Sequence, residues 1–102
     1  MMLNETENPM WIVSCVKWRM KRNGRPNVYY TVAQTYRSEE YARGYFREIM
    51  NSLRASGYVL TPTDLTISDG REGFQGYCYP KEKERGRTEY VAITLTRNRS
   101  WH

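Results

Sequence analysis

Apolar residues recur with two different periods along this chain, and the change of period divides it into elements. From Ser38 to Ser56 they fall at Tyr41, Ala42, Tyr45, Phe46, Ile49, Met50 and Leu53. That spacing makes one continuous stripe on a helix of 3.6 residues per turn. Ser38 is placed to cap the helix, and Glu39 and Glu40 suit the positive end of its dipole. Glu39 and Arg43 form an i, i+4 pair, and Gly57 is placed to end the helix with a positive φ. Gly44 weakens the helix by about 1 kcal/mol relative to Ala; close approach to the sheet is one use for it.

Elsewhere the period is two. Trp11–Met20 reads as a strand with Ile12, Val16, Trp18 and Met20 on one face and Trp11, Val13, Cys15, Lys17 and Arg19 on the other. Lys21–Asn27 connects it to a second strand, Val28–Tyr36, with Asn23-Gly24 as the turn and Pro26 stiffening the descending limb. The simplest reading of that strand sends Val28, Tyr30 and Val32 to the core and Tyr29, Thr31 and Ala33 the other way. Tyr58–Leu60 is apolar, but Pro62 interrupts it, so the next strand is expected from Asp64 with Leu65 and Ile67 inward. Asp69-Gly70 reads as a turn. Gly73–Tyr79 is a further strand, with Phe74, Gly76 and Cys78 opposite Gln75, Tyr77 and Tyr79. Residues 80–87 form a charged surface loop. Thr88–Thr96 is the last strand, alternating Val91, Ile93 and Leu95 inward with Tyr90, Ala92, Thr94 and Thr96 outward.

The element order β-β-α-β-β-β predicts an α+β fold: one helix packed on one face of a four- or five-stranded, mainly antiparallel sheet. At 102 residues the chain suits a single domain. Residues 1–9 read as a flexible arm and 98–102 as a short tail. The first ten residues hold no apolar run, so neither a secretory signal nor a membrane anchor is expected, and a cytoplasmic location follows.

Composition adds two points. Nine tyrosines against two phenylalanines mean that ambivalent rings supply much of the aromatic surface. The net charge of +5 is concentrated: Lys17, Arg19, Lys21, Arg22, Arg25 and Arg37 lie in residues 17–37 with no acid among them. The rest of the chain is nearly balanced, so the first hairpin is the basic feature, and it suits an anionic partner.

Candidate chemistry is sparse. Cys15 and Cys78 are expected as free thiols. The single His is the terminal His102, so no zinc ligand set and no His base can be assembled. No cofactor is expected, because Gly70, Gly73 and Gly76 make no dinucleotide fingerprint and no phosphate-binding loop occurs. Gly73–Tyr79 departs from the aromatic strand signature of RNA-recognition motifs by one residue, which moves Phe74 to the opposite face. Gly70–Gly73 has the GXXG spacing of KH domains but lies between strands, as a turn.

Placing the helix on the Val91, Ile93, Leu95 face leaves the other face open. Lys17, Arg19, Tyr29, Tyr77, Tyr79 and Tyr90 are expected there, continuous with Lys21, Arg22 and Arg25 of the hairpin. Rings for stacking bordered by cations for phosphate suit a nucleic acid, single-stranded or RNA in preference to duplex. Two other functions fit the composition. One is a non-enzymatic protein-binding module or inhibitor of a host protein, of the kind mobile elements encode, anchored by Trp and Tyr. The other is a small ribonuclease using Arg, Lys, Tyr and Glu without a recognisable motif.

Overall fold

The computed structural model describes residues 10–64, 71–79 and 88–98. They form strands β1 (Met10–Met20) and β2 (Pro26–Tyr36), helix α1 (Glu39–Ala55), and strands β3 (Val59–Pro62), β4 (Glu72–Cys78) and β5 (Glu89–Asn98). All pairings are antiparallel, in the order β2-β1-β5-β4-β3. The expected α+β architecture, one helix on one face of an antiparallel sheet, is the one observed. The residue 1–9 arm, Leu65, Ile67, the Asp69-Gly70 turn, the 80–87 loop and the end of the tail at 99–102 lie outside the described residues.

Helix α1 forms where its caps and its apolar stripe agree. The Ser38 hydroxyl accepts from the backbone N–H of Tyr41. At the other end the Tyr58 N–H donates to the Leu53 carbonyl and the Gly57 N–H to that of Arg54, with Gly57 at φ 99°. This double closure satisfies the last carbonyls and needs a residue free to take a left-handed backbone, hence glycine. Ala42, Phe46, Met50 and Leu53 are buried against Val13 and Cys15 of β1 and Val91, Ile93 and Leu95 of β5, while Tyr45 and Ile49 pack partly buried at the margin. Tyr41 departs from the stripe. It is 71% exposed, because it lies on the flank of the helix that overhangs edge strand β2 rather than on the face turned to the core. Gly44 does not serve sheet approach either: a side chain added there would meet nothing within 4 Å.

Two further differences have physical causes. β3 runs over Val59–Pro62 instead of starting at Asp64. It is an edge strand, and an edge is where a proline's missing N–H is tolerated; the ladder even extends past it, with the Thr63 N–H donating to the Gly73 carbonyl at 2.8 Å. In β2 the pairing passes from Lys17↔Tyr30 to Trp18↔Val28, leaving Tyr29 as a bulge residue. A bulge shifts the alternation by one. Val28 is therefore on the open face and Tyr29 joins Tyr30 on the helix face, the reverse of the simplest alternating pattern. Across the sheet, Gly76 is required by packing: a Cβ there would collide with the Val59 carbonyl oxygen.

Candidate nucleic-acid interface

The parity of each strand decides which side chains share a face. On the side away from α1 the register lines up Val28, Trp18, Tyr90, Tyr77 and Val59, one from each of the five strands. They form a row crossing the sheet at right angles to the strands. Trp18 and Tyr90 have near-parallel rings (5.8 Å between centroids, 19° between planes), and Tyr77 meets Tyr79 at 5.2 Å. Val28, Val59 and Tyr79 are each at least half exposed. The next row carries Thr31, Val16, Ala92, Gln75 and Thr61, and the one after it Ala33, Ser14, Thr94 and Gly73, with Ser14 and Thr94 bonded to each other at 2.6 Å. The aromatic row thus stands at the hairpin end of the face, and the rows beyond it carry no rings.

The hairpin itself is tight. Gly24, at φ 84°, donates its N–H to the Lys21 carbonyl, and the Lys21 N–H donates to the Arg25 carbonyl. The Asn23 side chain accepts from the Arg25 N–H. This turn holds Lys21, Arg22 and Arg25 in water, and Arg22 joins Met20, Thr88 and Tyr90 around a hollow of about 250 Å³ beside the middle of the aromatic row, on its hairpin side. Cation and rings meet there.

Lys17, Arg19 and Tyr29 do not belong to this face. The three expected there lie on the helix side, because Lys17 and Arg19 share the parity of Trp11, Val13 and Cys15, and the bulge turns Tyr29 the same way. They build a second cluster beside the C-terminal end of α1. Glu89 is its centre: one carboxylate oxygen accepts from the Tyr29 hydroxyl at 2.6 Å and the Tyr58 hydroxyl at 3.1 Å, the other from Arg19 at 3.1 Å. The Arg19 guanidinium lies 4.4 Å from the Tyr29 ring centroid, and the Lys17 ammonium lies over Tyr30 and Tyr58 at 5.0 and 5.6 Å. Of the nine sequence-derived site residues, the structure therefore brings Arg22, Tyr77, Tyr79 and Tyr90 to the open face and its rim. Trp18 was outside that set, although its even position in β1 already placed it opposite Cys15.

The chain matches no protein-family model, no curated protein and no solved structure. Among the described residues, no group of three or more His, Cys, Asp or Glu is arranged to hold a metal ion. No described helix is long and apolar enough to cross a membrane. Cys15 and Cys78 are both free, and burial pushes the Cys15 thiol up.

The Glu89 cluster makes stability depend on pH at both ends. The Tyr29 hydrogen bond, with Arg19 and Tyr58 behind it, holds the Glu89 carboxyl below its ordinary range. A lowered folded-state value stabilises above the unfolded value and is lost as pH falls through the folded one. Burial, then bonding within the cluster, raises Tyr58, and burial raises Tyr29. Their unfolded counterparts ionise near pH ~10, so stability falls as pH rises beyond that point. Urea midpoints measured across pH should fall on both sides, below pH ~4 and above pH ~10. Glu89→Gln should flatten the acid limb, and Tyr58→Phe should reduce the alkaline one.

Proposed function

We propose that the chain binds single-stranded nucleic acid on the open face of its sheet, non-enzymatically and without reading a fixed base sequence. The transverse Trp18–Tyr90–Tyr77 row, flanked by Arg22 beside Tyr90, supports this reading most strongly. Rings carried on successive strands offer bases a stacking platform, and every base has a π-face, so stacking tolerates any sequence. Lys21, Arg22 and Arg25 lie on the hairpin side of the row, the side on which the phosphates of a strand lying along it would meet cations. A duplex keeps its bases paired and stacked inside, so single strands or RNA loops suit the platform better. A cytoplasmic setting fits the two thiols.

The ribonuclease reading gains one observation, the convergence of Lys17, Arg19, Tyr29, Tyr58 and Glu89. Its geometry favours a structural clamp. Both oxygens of Glu89 already accept hydrogen bonds, and a carboxyl held below its ordinary range is a poor base near pH 7. The cluster ties the hairpin to β5 and to the turn after α1.

Salt dependence tests the binding reading. Each phosphate neutralised on a single strand adds about −0.7 to the slope of log K against log salt. Arg22→Glu with Arg25→Glu should flatten that slope by about 1 to 1.5 in fluorescence-anisotropy titrations of a labelled oligonucleotide. An unchanged slope would remove the hairpin from the interface, and no binding at low salt would defeat the reading as a whole.

A further inference from the structure

The two edges of the sheet are unlike. β3 has four residues and ends in Pro62, a protected edge. β2 is eleven residues long, and its bulge and Pro26 protect only the end near the hairpin. From Tyr30 to Tyr36 the edge reads YTVAQTY, with no charge, proline or glycine. Such a strand is a template for another strand, since among the described residues its outward N–H and C=O groups have no ladder on that side.

A second feature lies directly above it. The exposed flank of α1 and Tyr36 enclose a groove of about 570 Å³, lined by Glu40, Tyr41, Gly44, Tyr45, Arg47 and Glu48. Gly44, unexplained by packing within the chain, keeps this groove open. Tyr41, 71% exposed, stands at its mouth.

We infer that β2 pairs with β2 of a second copy of this chain, antiparallel and two-fold, to make a continuous ten-stranded sheet with both helices on one face. Centred on Ala33, the pairing sets Tyr30 opposite Tyr36 of the second copy and Thr31 opposite its Thr35. The same pairing carries the basic hairpin of each copy beyond the Tyr36 end of the other copy's β2, where that chain leaves the sheet for α1. The Arg25 end of the basic hairpin is thereby directed to the N-terminal end of α1, where Glu40 lines the groove above Tyr36 while Glu39 is held by Arg43. This charge complementarity is reciprocal under the two-fold axis, as a closed isologous contact requires. The helices lie over β1 and β5, roughly four strand spacings apart, or about 19 Å, in such a pair. That is too far for direct helix packing, and it leaves a channel floored by the two Tyr36 rings and walled by the two Tyr41 rings.

The test uses the full chain, freed of nucleic acid by nuclease and high salt, and measures mass by light scattering and sedimentation across a concentration series. The wild type should run at twice the 12.2 kDa chain mass. Thr31→Lys with Thr35→Lys sets like charges across the pair on a solvent-facing surface and should raise the dimer dissociation constant about tenfold or more. Mixing it with the Thr31→Glu, Thr35→Glu variant should restore the dimer as a heterodimer. Circular dichroism should show all variants folded. A wild type that stays at the single-chain mass at ~100 µM, well within the range where micromolar pairs form, would overturn the inference. So would a dimer indifferent to the Lys and Glu pairs, or open-ended assembly in place of a closed pair.

Discussion

Phe46→Ala should lower the stability of the fold by about 3 to 5 kcal/mol, most of what a domain of this size holds in reserve. Phe46 is 3% exposed and lies at the centre of the buried α1 face, its ring 6.1 Å from that of Phe74 on β4. Among the described residues the core around it is a single layer: three residues each from β1 and β5 and four from the helix, joined by Tyr58 just beyond it. With no second layer to relax into the space, the cavity persists and its cost adds to the lost burial. Chemical denaturation should show a midpoint shift of that size with an unchanged slope. Asn51→Ala and Arg54→Ala, exposed on the far side of the same helix, should shift it by no more than about 0.5 kcal/mol.

Trp18→Ala and Tyr77→Ala should each weaken single-strand binding by about 1 to 3 kcal/mol, and do so at every salt concentration. The reason is the division of labour across the open face. Ring stacking carries no counterion release, so removing a ring lowers the intercept of the salt plot and leaves its slope near the wild-type value. Tyr29→Ala, on the helix side and bonded to Glu89, should instead destabilise the fold and leave the affinity of the folded protein close to unchanged. An equal loss from Tyr29→Ala would place the interface on the opposite face. Tyr79→Ala, exposed and flanking the row beside Tyr77, should give a smaller loss than Tyr77→Ala.

Where local rules decide the structure, the chain is legible. Ser38 and Gly57 bound the helix as their side-chain and backbone chemistry dictates, and the alternation of Val91, Ile93 and Leu95 assigns β5 to the core. The features that local pattern misses depend on pairing. A bulge at Tyr29 has no sequence mark, since it arises from how β2 registers on β1, and it alone moves Val28 and Tyr29 between faces. Pro62 reads as a strand breaker until β3 is known to be an edge. The division of the binding residues was visible in part, because Lys17 and Arg19 alternate in step with Trp11, Val13 and Cys15. Charge drew them into one surface with Tyr77 and Tyr90, whereas the period of two set them on opposite sides. Trp18 follows from the same period, opposite Tyr90 on the neighbouring strand.

The central claim is that the open face, and not the helix side, receives a single strand. Its most direct test is a ¹H–¹⁵N chemical-shift titration of the full chain with a short unstructured RNA at low ionic strength. The account predicts shifts at the Trp18 indole, at the Tyr77 and Tyr90 amides and through Lys21–Arg25, with the amides of Leu53, Gly57 and Tyr58 unmoved. Shifts centred on Tyr58 and Glu89, or none at saturating RNA, would contradict it.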